Sequence, residues 1–154
     1  MKYYLDTNIL AFLLLEQEDE LSGYVMSCVS DYSNTLFTSV VCVQELIHLC
    51  QIGKLSMGKK KVSPNPTNIV NWLDDMGICI VPVNLQHLQK LSELPLFNDH
   101  HDPNDRLIIV QAIVDHAPLV SSDHKFKMYE RLGLDFVFNR RELIRSIENF
   151  IGEN

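Results

Sequence analysis

Short apolar runs alternate along the chain with longer stretches whose apolar residues recur every three or four positions, which predicts strands followed by helices. Lys2–Leu5 reads as a strand rich in β-forming tyrosine, ending at Asp6. Asn8–Leu15 reads as a helix, and Asp19–Tyr32 as a second with Leu21, Tyr24, Val25 and Cys28 on one face. Thr35–Thr38 is the next strand, and Val40–Gln51 a helix whose Gln44, His48 and Gln51 form a narrow polar stripe. Asn65-Pro66 is a cap followed by a first-turn proline, so a helix starts there, runs to about Met76 and stops at Gly77. Ile78–Val83 is apolar without a break, which predicts a strand buried on both faces. Leu85–Leu94 is helical, the loop Pro95–His101 follows, and Asp102-Pro103 repeats the cap-then-proline start. The helix from Pro103 to about His116 is apolar nearly all round between Leu107 and Val114, which makes it central. Pro118–Ser122, ending at Asp123, and Leu134–Phe138 are the last strands; Lys125–Leu132 between them and Arg140–Phe150 after them read as helices. Strands alternating with helices, without tight hairpins, predict an α/β fold: a three-layer α/β/α sandwich around a mostly parallel sheet of four to five strands.

Composition narrows the picture. With 154 residues there is room for one domain, 1–154, and with 46% apolar and 21% charged residues wholesale disorder is excluded. Cys28, Cys42, Cys50 and Cys79 form no C-x-x-C pair, so a zinc knuckle or thioredoxin-type motif is unsupported. Three of them fall in apolar helical patterns, as free cysteines of a reducing cytosol do. The Leu-rich run Ile9–Leu15 is too short for a secretory signal and lacks a cleavage site, and nothing approaches membrane-spanning length; a cytoplasmic location is expected. The net charge of −7 argues against a protein that coats nucleic acid with its whole surface, but it leaves room for a local acidic site.

The acids are placed suggestively. Asp6 and Asp123 each end an apolar strand and precede a helical segment, and in a parallel sheet the carboxyl ends of all strands share the edge where ligands bind. Either could be only a helix cap; two at equivalent strand ends favour a shared site. Asp105 lies in the first turn of the central helix, where the helix dipole welcomes an acid, yet Ile108, Ile109 and Ala112 on its face point it inward. Asp102 is as well explained as a cap. Glu45 interrupts an apolar face formed by Val41, Cys42 and Leu49, although alone it would pass for a surface residue. Such carboxylates would repel one another unless divalent cations neutralised them. An all-oxygen set points to Mg²⁺ or Mn²⁺, and the matching chemistry is phosphodiester hydrolysis.

In this order the residues resemble a PIN-domain ribonuclease, and within that family a VapC-type toxin of a toxin–antitoxin pair. The resemblance runs through Tyr4-Leu5-Asp6-Thr7-Asn8, through Glu45 in Val43–Leu46, and through His100-His101-Asp102-Pro103-Asn104-Asp105-Arg106 leading into Ala112. It ends at Leu119-Val120-Ser121-Ser122-Asp123 with Phe126 and Tyr129, and so spans nearly the whole chain. The first segment is weak by itself, the His-x-Asp-Pro-x-Asp-Arg segment is specific, and the ordered set is strong. The resemblance implies that Asp6, Glu45, Asp105 and Asp123 bind one or two Mg²⁺ or Mn²⁺ ions and catalyse RNA hydrolysis to a 5′-phosphate and a 3′-hydroxyl. It makes Asn8 and Ser121, with Asp102, the residues that orient those acids. Asn104 stands where many relatives carry an aromatic and Ser121 where threonine is common; neither change removes a metal ligand.

Other features are candidates for partners. Lys54, Lys59, Lys60 and Lys61 form the densest basic segment, in a loop to Pro66 that is less typical of the family, and could contact an RNA backbone. His100 could touch substrate or decorate a loop, as could His101. Arg106 could meet RNA or the acids, with a structural duty at the helix start the better reading. Leu13–Leu15 and the face Leu21–Val25 could pack in the core, or receive an antitoxin protein or a second protomer. Two other functions stay open: a phosphatase-like enzyme with Asp6 as nucleophile, and a non-catalytic module whose acidic pocket binds a partner. Against the first, no D-x-D-x-T start is present.

Overall fold

The computed structural model describes residues 1–55 and 63–140. Five strands, β1 (Lys2–Leu5), β2 (Thr35–Ser39), β3 (Ile78–Val81), β4 (Leu119–Ser121) and β5 (Phe136–Phe138), form one sheet in the order β3-β2-β1-β4-β5. Every neighbouring pair is parallel. The helices are α1 (Thr7–Leu14), α2 (Gly23–Ser30), α3 (Val40–Gln51), α4 (Ile69–Asp75), α5 (Leu85–Glu93) and α6 (Pro103–Val114), with 3₁₀ segments at Glu18–Glu20, Pro66–Asn68 and His124–Leu132. Successive β1 side chains show the layering: burial and contacts with Tyr24 and Cys28 of α2 act on the Tyr3 hydroxyl, while the Tyr4 hydroxyl, pointing the other way, bonds Asp115 at the end of α6. The expected α/β/α sandwich is thus present. Among the described residues no helix is long and apolar enough to cross a membrane.

The chain builds β1–β3 to one side, then returns through α5 and α6 to place β4 against the other side of β1. That reversal beside β1 is the topological switch point, where a parallel sheet opens a crevice at its carboxyl edge. Leu5, Ile9, Leu10, Leu46, Ile108, Ile109 and Leu119 are fully buried beneath it.

Three local expectations change. β3 is an edge strand with Cys79 exposed, not a strand buried on both faces, because an apolar run does not distinguish edge from centre. The helix expected over Asp19–Tyr32 is a 3₁₀ turn followed by α2, since Ser22 caps Val25 N–H and restarts the helix there. Pro66–Asn68 and His124–Leu132 wind as 3₁₀ rather than α. Lys59, Lys60 and Lys61, and the expected closing helix past Arg140, lie outside the described residues.

Candidate active site

The local chemistry of each strand end explains how the acids are placed. β1 ends at Leu5 and Asp6 caps α1, its Oδ1 accepting Thr7 N–H at 2.7 Å. β4 ends at Ser121, and Asp123 caps the following 3₁₀ segment through Lys125 N–H at 3.0 Å. Asp102 caps α6, accepting the N–H groups of Asn104 at 2.9 Å and Asp105 at 3.1 Å. For Asp6 and Asp123 capping and gathering are the same act, because the strands they follow are parallel; Asp102 comes to the same cleft from the start of α6, after α5 and a loop. Asp6, Asn8, Glu45, Asp102, Asp105 and Asp123 all line one cleft of about 290 Å³.

The floor is a polar network around Asp6, which is only 4% exposed. Ser121 Oγ donates to Asp6 Oδ2 at 2.7 Å, and Asn8 Nδ2 lies 3.2 Å from both that oxygen and Ser121 Oγ. Asn8 Oδ1 accepts Ser122 N–H at 3.1 Å, so one side chain ties β1's end to β4's end. Glu45, half-buried on α3, is reached by Thr7 Oγ1 at 3.0 Å. Thr7 lines the same cleft and was given no role by sequence reasoning; its only signal there is adjacency to Asp6.

His100 and Arg106 do not sit where an RNA contact would. His100 is 4% exposed, packed edge-on against Phe126 and Tyr129 at ring distances of 5.8 and 5.4 Å. Its Nε2 lies 3.0 Å from Asp105 Oδ2 and its Nδ1 2.6 Å from the Tyr129 hydroxyl. Burial lowers the pKa of the His100 ring, against the charges of Asp123 and Asp102. With Asp105 ionised, Nε2–H donates to the carboxylate and Nδ1 accepts from Tyr129, which fixes the tautomer. Arg106 turns inward, donating to the Pro95 and Leu94 carbonyls at 2.8 and 3.0 Å; this structural duty replaces the RNA-contact reading. Lys54 is exposed past the C-terminal end of α3, and His101 is exposed beside the α6 cap.

The electrostatics are those of a site short of cations. Burial pushes the Asp6 carboxyl up to about 6, with the charges of Asp105 and Glu45 adding, although Ser121 and Thr7 pull it down. Burial pushes Asp105 up to about 7, reinforced by Asp102, Asp123 and Glu45 and only partly offset by Lys125. His100, Asp105 and Asp123 each offer a ligand atom, and those atoms lie within 4.8 Å of one another. Clustered carboxylates, two of which (Asp6 and Asp105) are held above the ordinary carboxylate range, fit a divalent cation that would favour their charged forms. The donor set is therefore one of oxygens, with both nitrogens of the nearby His100 engaged by Asp105 and Tyr129.

The comparisons agree with the fold. The PIN domain family model matches residues 3–132. Similar solved structures include VapBC2 from Rickettsia felis bound to a DNA fragment from its promoter, at TM-score 0.61 and 23% identity, covering 90% of this chain and 98% of that one. VapBC-1 from nontypeable Haemophilus influenzae is similar at TM-score 0.58 and 20% identity, covering 90% and 98%. VapBC-5 from Mycobacterium tuberculosis, of the VapBC family of toxin–antitoxin systems, follows at 0.57 and 15%, with the same coverage. Among curated proteins there is no significant match.

Proposed function

The chain belongs to the PIN domain family, and on that premise we propose that it is a divalent-metal-dependent endoribonuclease, the VapC-type toxin of a toxin–antitoxin pair. One observation carries the reading: Asp6, Glu45, Asp105 and Asp123 come from four separate elements and meet in one cleft at the carboxyl edge of the sheet. Asp6, Glu45, Asp105 and Asp123 would hold one or two Mg²⁺ or Mn²⁺ ions. A bound ion would supply charge neutralisation at the phosphodiester and acidify water for its hydrolysis. The chain's own residues do the positioning: Ser121 and Asn8 hold Asp6, Thr7 holds Glu45, and His100 holds Asp105.

An antitoxin or second protomer would meet the half-buried apolar row Leu13–Leu15 at the C-terminal end of α1; of the face Leu21–Val25, Leu21 and Val25 are buried in the core and Tyr24 is exposed. A homodimer remains part of the same proposal. The phosphatase-like alternative is disfavoured because Asp6 is buried and both of its oxygens already accept hydrogen bonds.

The test is cleavage of total cellular RNA by the purified chain in Mg²⁺ or Mn²⁺, with Asp6→Ala run alongside and cleavage sites mapped. Cleavage should require the ion and vanish in the variant. Equal cleavage in excess EDTA would sink the metal mechanism.

A further inference from the structure

One groove lies outside the acidic cleft yet shares its sheet edge. It has a volume of about 340 Å³ and is lined by His124, Lys127, Glu130, Phe136, Phe138 and Arg140. That size falls at the lower end of small-ligand clefts. Its charge runs against the rest of the chain. Residues 124–140 hold four cations (Lys125, Lys127, Arg131 and Arg140) against two acids (Glu130 and Asp135), so they carry +2 in a protein of net −7. Arg131 is engaged over the Phe97 ring, 5.0 Å from its centroid, and Lys127 and Arg140 remain as the groove's own cations.

The aromatic part is held in place. Phe136 sits 6.0 Å from both Phe126 and Phe138, so the three rings form a row leading out from the core. Phe138 ends that row at 42% exposure. A single exposed phenylalanine is ordinary. An exposed ring fixed by its neighbours and flanked by cations is the arrangement that binds single-stranded nucleic acid, bases on the ring and phosphates on the charges.

The register places this platform beside the acids. Phe138 pairs with Ser121, whose hydroxyl holds Asp6, and paired residues of parallel strands project to the same face. Asn139 N–H bonds Ser121 carbonyl at 2.8 Å and its Nδ2 bonds Ser122 Oγ at 2.8 Å, stitching the two strand ends together. His124, on the groove wall, directly follows Asp123 in the cleft.

We propose that this groove binds the stretch of single-stranded RNA next to the scissile phosphate, one base stacking on Phe138 and the flanking phosphates meeting Lys127 and Arg140. The proposal rests on the ribonuclease reading and adds to it where the strand runs. It also gives an acidic protein a place to retain a polyanion: a basic, aromatic strip, with Lys127 and Arg140 against the single acid Glu130, adjoins the acidic cleft.

Binding of a fluorescein-labelled single-stranded RNA, followed by anisotropy across a salt series, tests this in the full chain. An Asp105→Asn background with Mg²⁺ present keeps the RNA intact. Phe138→Ala should weaken binding about tenfold, a factor within the range of one lost base stack, and Phe138→Trp should restore it. Lys127→Gln with Arg140→Gln should flatten the slope of log affinity against log salt by about 1.4, the value for two single-strand phosphate contacts. Wild-type affinity and slope in all variants would overturn the groove assignment while leaving the nuclease reading intact. The same result with an altered oligomeric state would assign the groove to a protein partner instead, which also overturns it. If the unaltered chain neither binds nor cleaves RNA, the ribonuclease reading itself falls and the groove goes with it.

Discussion

Helix α6 carries an aspartate near each end, and the two are treated in opposite ways. Asp105 in the first turn and Asp115 at the C-cap each take an imidazole Nε2 at 3.0 Å, from His100 and His87 respectively. In both histidines Nδ1 is occupied by a donor, the Tyr129 hydroxyl in one and Asn84 N–H in the other, at 2.6 and 3.0 Å. The surroundings then diverge. Asp115 also accepts the Tyr4 hydroxyl, so donors close around it at the helix end where the dipole disfavours negative charge. Asp105 faces Asp102, Asp123 and Glu45, which push its carboxyl up to about 7 together with burial. Donors complete Asp115, which is solvent-exposed, whereas Asp105, the more buried of the two, faces further carboxylates. The proposed function uses the end of α6 where negative charge is collected.

Removing each acid separates the two roles most sharply. Asp105→Asn should lower RNA cleavage about a thousandfold, since several kcal/mol of charge stabilisation corresponds to that factor. Its melting temperature in metal-free buffer should hold or rise, because a repelling charge is gone. Asp115→Ala should do the reverse, costing about 2–4 kcal/mol by orphaning His87 and Tyr4 while the folded protein still cleaves. Activity assays and thermal melts on both variants check this. A Asp105→Asn protein that melts lower without metal would make Asp105 a structural partner of His100 first.

The histidines give a smaller contrast. His100→Leu should weaken Mn²⁺ binding by calorimetry roughly 10- to 100-fold, the usual effect of losing a residue that orients a metal-binding carboxylate. His100→Gln, which can still donate to Asp105 and accept from Tyr129, should recover part of it. His87→Leu should lower stability and leave Mn²⁺ affinity alone. Equal metal affinity in His100→Leu and the unaltered chain would reduce His100 to core packing.

Much of this contrast could be read from the sequence on one side and little on the other. Asp6 and Asp123 stood out because each closes an apolar strand, and parallel strands convert that local pattern into a shared edge. Asp105 stood out because its helix neighbours are apolar. His100 was read as a possible RNA contact and not as the partner of Asp105, since its burial depends on Phe126 and Tyr129, more than twenty residues later, and no local spacing encodes that contact. Thr7 escaped for a similar reason: its partner Glu45 is on another helix. Asp115 drew no notice because Tyr4 and His87 approach it from β1 and α5. At the level of the fold, the strand–helix alternation was sufficient for the sandwich. The edge position of β3 depends on strand order, which apolar runs alone do not specify.

The smallest expected effect is in the pH dependence of stability, and it also divides the two ends of α6. Asp105 is raised from 3.8 to about 7 and Asp6 from 3.8 to about 6, so between those limits the folded protein holds protons that the unfolded chain has released. Their contribution to stability is therefore full below about pH 4 and is lost as pH rises through about 6 to 7. Metal-free protein should lose roughly 1–2 kcal/mol between pH 6 and 8 from this source, about 4 °C in melting temperature for a chain of this size. Saturating Mn²⁺ should remove the slope, because the cation takes over the role of the protons. Asp105→Asn should flatten it without metal, whereas Asp115→Ala should lower the whole curve and keep its shape. A metal-free protein whose stability rises steadily with pH over this range would show that the cleft acids are already neutralised by donors, as Asp115 is, and the distinction between the two ends would be lost.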